Sequence, residues 1–308
     1  MGKDMNVFTR FNMLIRMTAV VFSSFVTVLS TSLPLFLFYS DIPNQNVLWT
    51  MIVLLLGSFL IHGLLTHIIN DMTDFKTGTD DYSPGILSGG SRVIQSKAIT
   101  YGQLRLLGIG LSVLLLAAAI LFFIFGHIEY GFLVLIGMWG AVSYSLRPFM
   151  LAYKPFIGEW ASLFPSMFAL GIAAPWILLD TIPAWAWFNA IINALWCMAW
   201  VMVHHIPDIE ADRQANPRKI TTVVYAVNSG GRKFAHLPSV FYLLIILIIL
   251  IIMILTRPVA SILSLIMILI TLRALFTMHN NDVEAATAVE KQMLITAGLT
   301  AVVLGIFI

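Results

Sequence analysis

Charge is what this chain has least of. Of its 308 residues only 10% are Asp, Glu, Lys or Arg, against about 25% in soluble domains. With 59% hydrophobic residues, a water-soluble fold of this size could not hide its apolar side chains, so the bilayer must be its solvent. Net charge is also small, +2, which excludes the strong basic field that a nucleic-acid partner requires. There is one cysteine, Cys197, inside an apolar run, which excludes an internal disulfide. Low-complexity segments and a strong internal repeat are missing too. So is a cleavage site. Lys3, Arg10 and Arg16 precede an apolar stretch as in a signal peptide, but residues 17–39 are too long for one and no small-residue site closes them. A retained first transmembrane helix is expected there.

What the chain does have is long apolar runs. A span needs about 20 mainly apolar residues, and nine stretches qualify: roughly 12–39, 47–69, 103–126, 130–148, 159–179, 184–204, 237–256, 258–278 and 286–308. The expected fold is all-α, a polytopic bundle of nine transmembrane helices forming one domain over 1–308. Basic residues orient it. With the N-terminus inside, sixteen of the seventeen Lys and Arg fall on the inner side and only Arg257 falls outside. Two inner loops are long, about 70–102 and 205–236, and follow the second and sixth spans. Long loops on a compact bundle are functional or disordered, and the sequence complexity of these two favours function.

Both loops are acidic. The first opens Asn70-Asp71-Met72-Thr73-Asp74 and continues through Lys76, Gly78 and Asp80. If the span continues as a helix, Asp71 and Asp74 share a face, with Asn70 beside them and Gly78 ending the turn. The second holds Asp208 and Asp212, again on one helical face, with Pro207 suited to a first turn. Carboxylates this close need a cation. Hard oxygen ligands suit Mg²⁺, which joins one or two carboxylates to substrate phosphates. Asp71, Asp74, Asp80, Asp208 and Asp212 are thus the expected metal ligands. The basic residues around them, Lys76, Arg92, Arg213 and Lys219, suit the remaining phosphate oxygens. Acids in a loop are otherwise simply solvated, and that reading is kept for Asp81, Glu210 and Asp180.

Other residues carry two readings each. His204 and His205 end a span beside the second motif; one of them, His205, is the candidate to take a proton from an acceptor, against plain interfacial hydrogen bonding. Tyr144, Tyr153 and Lys154 flank a short inner loop. They form an aromatic belt with a basic neighbour, or they bring a cation to diphosphate and a ring face to a carbocation. Gly89-Gly90-Ser91 offers backbone amides to a phosphate. His67 lies one turn before Asp71 and is expected on the same cavity. Asn193 either borders a cavity or bonds a neighbouring helix. Trp185 and Trp187 are expected in an outer aromatic belt.

At these motifs the chain resembles the UbiA superfamily of membrane prenyltransferases. Asn70-Asp71-x-x-Asp74-x-x-x-Gly78-x-Asp80 and Asp208-x-x-x-Asp212 are similar to its two aspartate-rich motifs, and they stand at the matching helix ends. The likeness extends to nearly the whole chain through helix count. Within the superfamily the pattern looks closest to the MenA-like branch, which prenylates 1,4-dihydroxy-2-naphthoate. That impression rests on the Gly78/Asp80 spacing, on Ser88-Gly89-Gly90-Ser91-Arg92-Val93-Ile94, and on Tyr144-Ser145-x-x-Pro148-x-x-Leu151-x-Tyr153 followed by Gly158-Glu159. Two stretches depart from that branch: His204-His205-Ile206-Pro207-Asp208 where Asn-Asn-x-Arg-Asp is usual, and Asn216-Pro217-Arg218-Lys219-Ile220-Thr221 where Gly-Lys-x-Thr is usual.

The resemblance implies an enzyme, a prenyltransferase. Its implied donor is a polyprenyl diphosphate, its cofactor Mg²⁺, and its acceptor an aromatic ring, with menaquinone biosynthesis as the setting of the naphthoate branch. It also implies an active site on the cytoplasmic face of a bacterial cell membrane. Three alternatives stand beside it: a prenyltransferase acting on a carotenoid or lipid, a terpene cyclase that ionises the same donor, and a transporter. A transporter would place its ionisable groups deep in the spans, whereas these acids gather at helix ends.

Overall fold

Residues 21–84, 90–280 and 282–308 are described by a computed structural model. Lys3, Arg10, Arg16, the start of the first expected span, Ser88 and Gly89 lie outside the described residues. Among those described, every regular element is helical. Helix α1 (Val26–Phe38) is preceded by a π-helical turn, Val21–Phe25. Helix α2 runs from Asn44 to Thr77 and α3 is the short Thr79–Tyr82. Then come α4 (Tyr101–Ile124), α5 (Ile128–Ser145), α6 (Glu159–Leu178) and α7 (Ala184–His204). Two short helices, α8 (Ile209–Gln214) and α9 (Thr222–Gly230), lead to α10 (Leu237–Met253), α11 (Pro258–Thr277) and α12 (Val283–Ile306).

Eight of these helices are long and apolar enough to cross a membrane, and a shorter apolar helix, Ser23–Phe38, accompanies them. The chain is a multi-pass integral membrane protein. The hydropathy limits hold closely: the sixth expected span and α7 share the same ends. The difference that matters is α2. Its apolar run ends at Ile69, yet the helix continues to Thr77 and stops only at Gly78, whose φ of 75° allows the left-handed cap.

Helix α7 is central. Fifteen of its 21 residues are buried, because it packs against α6, α10 and α12 at once. Its approach to α6 is close enough that a Cβ on Gly171 would lie 2.8 Å from the Ala190 Cα, the small-residue contact typical of membrane bundles. By contrast α4 buries four of its 24 residues; leucine, isoleucine and valine cover its outer face, as lipid requires. Trp185 does not join the expected belt. It is buried, and its indole N–H donates to the Tyr39 hydroxyl at 2.9 Å; Trp187 is exposed.

Several polar groups inside the bundle pair across helices. Asn189 donates to the carbonyls of Ser30 and Leu304, and Asn193 donates to the Ser30 hydroxyl at 2.9 Å. Arg257, the one basic residue assigned to the far side, is buried there. It donates to Asn189 Oδ1 at 2.9 Å and to the carbonyls of Leu304 and Phe307 at 2.6 and 2.9 Å. It therefore satisfies acceptors at the end of α12 that the helix leaves open.

Candidate active site

The first acidic motif is the last turn of α2 and the short helix after it. Asp71 and Asp74 are three residues apart and both are buried, at 2% and 6% exposure. Asn70 Nδ2 donates to Asp74 Oδ2 at 2.9 Å. Asp80, on α3, is also buried. The chain then returns over these acids. Ser91 donates its backbone N–H to Asp71 Oδ1 at 3.2 Å and its hydroxyl to Asp71 Oδ2. Gln95 Nε2 donates to Asp80 Oδ2 at 3.3 Å. Gly90 (φ 66°) passes so close that a Cβ there would sit 2.5 Å from Asp80 Oδ1, so the sequence has glycine for both conformation and space.

The second motif follows α7. Asp208 precedes the first turn of α8, and Asp212 lies one turn on, 1% exposed. Ser83, next to the first motif, donates its hydroxyl to Asp208, and the guanidinium of Arg92 donates to the Ser83 carbonyl. The Asn216 N–H donates to the Thr77 carbonyl at 2.9 Å, which ties the second segment to the C-terminus of α2. The two motifs thereby meet.

Lys219 stands between them. Its ammonium is 3.3 Å from Asp212 Oδ1 and 3.9 Å from Asp74 Oδ1. Burial opposes its charge, but the carboxylates of Asp212 and Asp74 outweigh that and hold its pKa well above the ordinary lysine value. Asp212 is pushed up to about 7, chiefly by burial, with Asp208 and Asp74 adding and Lys219 opposing. Its carboxylate oxygens are both buried and accept no hydrogen bond. Oδ2, which faces no N–H group, is a hard oxygen donor that fits a divalent cation. Among the described residues, however, no three His, Cys, Asp or Glu side chains converge as metal ligands. The donor set therefore suits a Mg²⁺ shared with phosphate oxygens and not an all-protein cage.

The acids line one end of a cavity of about 780 Å³. Asn70, Asp74, Asp80, Asp208, Asp212 and Lys219 form the polar end; Leu54, Leu115, Phe122, Tyr130, Leu133 and Leu170 form the other. From Tyr144 back to Tyr130, both on its wall, α5 rises by ~20 Å at the usual ~1.5 Å per residue. Between the ends lies a polar patch where Ser24 Oγ meets His62 Nδ1 at 2.7 Å. It sits against the π-helical stretch Phe59–Thr66 of α2, a departure frequent at functional sites.

The expected site residues divide by position. His67, Tyr144 and His205 line the cavity with the acids. Tyr144 and His205 meet at 3.4 Å between hydroxyl and Nε2. Burial first, then Lys219 and His204, hold His205 well below the usual histidine range, so it stays neutral. Asp71 lies behind the wall under Ser91, as does Arg92 behind Ser83. Tyr153 is set back, its hydroxyl donating to Thr77 Oγ1 at 3.2 Å and its ring 5.9 Å from the Lys219 ammonium. Lys76 lies over the Tyr101 ring at 4.9 Å, Arg213 pairs with Glu210 and Asn228, and neither lines the cavity, nor does Lys154. Of the two readings of Asn193, the structure shows the helix contact: it faces α1 through Ser30 and borders only a minor void.

Ser83, Gln95 and Glu290 were not foreseen. Nothing in the sequence marks the first two, which reach the acids only through the folded loop. Glu290 did carry a signal, being an acid inside an apolar run.

No curated protein and no solved structure matches the chain. The profile of the UbiA prenyltransferase family matches residues 26–298, from α1 into α12 and across both acidic motifs. Members of that family are membrane enzymes that generally use Mg²⁺ with diphosphate substrates. With a helical bundle, two converging acidic segments and an apolar cavity behind them, the chain belongs to the UbiA prenyltransferase family and is a membrane prenyltransferase.

Proposed function

We propose that this enzyme transfers a prenyl group from a polyprenyl diphosphate, bound with Mg²⁺, to a hydroxylated aromatic acceptor, with 1,4-dihydroxy-2-naphthoate as the first candidate. The observation that supports it is the convergence of both acidic segments at one end of a long apolar cavity. A polyprenyl diphosphate has that same division into charged head and greasy tail. The naphthoate rests on the MenA-like stretches around Gly78, Gly90 and Tyr144, and the cytoplasmic, bacterial placement rests on the basic residues of the inner loops.

Asp74, Asp80, Asp208 and Asp212, which line the cavity, are the residues that would hold Mg²⁺, with Asp71 behind them under Ser91; the ion would supply charge neutralisation to the leaving diphosphate. Lys219 and Asn70 offer donors to phosphate oxygens at the wall, and Lys219 is already charged and desolvated there. The aliphatic wall excludes water while the allylic C–O bond breaks. Tyr144 offers its ring face to the allylic cation. The acceptor ring attacks that carbon, and diphosphate and a proton leave.

The test is incubation of purified protein with Mg²⁺ and prenyl diphosphates of several lengths, with and without dihydroxynaphthoate. Prenylated product that requires the acceptor is expected, reduced at least about 100-fold in Asp71→Ala and Asp208→Ala. A hydrocarbon formed without acceptor would mean a cyclase, and near-wild-type rates in both variants would sink the reading.

A further inference from the structure

His204 and Glu290 come from helices far apart in sequence and meet at the cavity. His204 Nδ1 lies 2.6 Å from Glu290 Oε1. Glu290 is completely buried, on the second turn of α12, and its other oxygen accepts nothing. The imidazole is further fixed by the Trp200 ring, stacked at 4.8 Å and 25°, and the Trp200 N–H in turn donates to the Glu290 carbonyl at 3.2 Å. His204 and Trp200 both line the cavity, as do Asp208 and Asp212 beyond them. His204 ends α7 and Asp208 precedes α8, so the imidazole and the second acidic motif face the same cavity, whose polar end would take the charged head of a donor.

An acid buried this deeply in a membrane protein marks function by default. Here its single polar partner is a histidine whose Nε2 has no partner among the described residues. A carboxylate that accepts from Nδ1–H sets the tautomer that leaves an Nε2 lone pair free, and it compensates the imidazolium that forms on proton uptake. His205 lacks such support and is turned toward Tyr144.

We propose that His204, oriented by Glu290, is the base that deprotonates a hydroxylated aromatic acceptor during prenyl transfer. The acceptor O–H loses its proton to His204 Nε2, and the oxygen pair becomes the C=O of a dienone. The ring carbon forms the new C–C bond as the allylic C–O bond breaks, and diphosphate departs with that bonding pair. His204 touches the acceptor; Glu290 is a positioning residue. This rests on the prenyl-transfer reading above.

The experiment uses the intact protein, one prenyl diphosphate, Mg²⁺ and a series of 1-naphthols of graded acidity. His204→Gln and Glu290→Gln are compared with wild type for kcat and for the KM of the donor. With the least acidic naphthols a loss of about 10²–10⁴-fold in kcat is expected for His204→Gln. That loss should shrink steadily with the more acidic ones, which arrive already ionised. Glu290→Gln should follow the same trend with a smaller loss, and the donor KM should be unchanged in both. Wild-type kcat across the series, or a loss equal for every naphthol, overturns the role of the pair. Failure of wild type to prenylate any naphthol or dihydroxynaphthoate overturns the transfer reading and the pair with it.

Discussion

The ammonium of Lys219 occupies the place between Asp212 and Asp74 where two acidic motifs would otherwise face each other unscreened, 3.3 Å from the first and 3.9 Å from the second. It is a tethered cation among the carboxylates proposed to hold a diffusible one. Replacement by methionine keeps the volume and leaves buried carboxylates uncompensated, a loss on the order of 3–5 kcal/mol. In Lys219→Met, thermal unfolding in detergent should fall by several degrees, and added Mg²⁺ should restore more of the loss than it adds to wild type. An equal Mg²⁺ response in the two proteins would dissociate Lys219 from the metal site.

Gly90 tests the return loop. A methyl group there meets Asp80 at 2.5 Å and also sits at φ 66°, which costs about 1–2 kcal/mol for a residue with a Cβ. Gly90→Ala should lift the loop away from the acids. The expected result is a fall in transfer rate larger than the loss of stability explains, with the KM for the diphosphate donor raised. Gly102→Ala, where a Cβ meets nothing within 4 Å, is the control and should change neither.

His205 makes the folded protein acid-sensitive. Its pKa is held well below 6.5 in the fold, first by burial and then by Lys219. Below pH 6.5 the unfolded chain takes up a proton that the folded protein refuses. Stability is thus fully present above pH 6.5 and is lost as pH falls toward the folded pKa, with a slope near 1.4 kcal/mol per unit from this residue. Chemical denaturation of wild type and His205→Gln at pH 7.5 and 5.5 should show a smaller pH effect in the variant. Parallel losses would assign the acid sensitivity to other groups.

Arg257 ties the ends of three helices together through Asn189, Leu304 and Phe307. Arg257→Met should cost about 3 kcal/mol, since it leaves buried acceptors empty. Arg257→Lys should recover little of it, because one ammonium cannot reproduce the fork. The rate per folded molecule should be unchanged, as the guanidinium is remote from the acidic end.

Hydropathy made the bundle legible, down to the shared limits of α7, because lipid leaves a span few other options. The paired aspartates were legible for the same reason that helical periodicity is: Asp71 with Asp74 and Asp208 with Asp212 follow from local geometry. What periodicity could not tell is which partner each face meets. Asn193 reads either as a cavity residue or as a helix contact, and only the fold shows it bonded to Ser30. Lys76 and Arg213 read as phosphate ligands and are turned toward Tyr101 and Glu210. Lys219 was one basic residue among several until the Asn216–Thr77 hydrogen bond brought it between the motifs. The clasp of Ser91 on Asp71 and the pairing of Glu290 with His204 are long-range contacts, and they become visible only once loops and helices are placed.

Helix α2 has a last consequence. Thirty-four residues make a rod of ~50 Å, and even tilted by ~40° it covers ~40 Å of depth against a hydrocarbon layer of ~30 Å. The excess length matches the polar turns after Ile69, so the acids of α2 belong at the headgroup layer and not among the lipid tails. On the proposed reading the catalyst works across a phase boundary: a donor that lives in oil and an aromatic acceptor that arrives from water each stay in their own solvent until the bond between them forms.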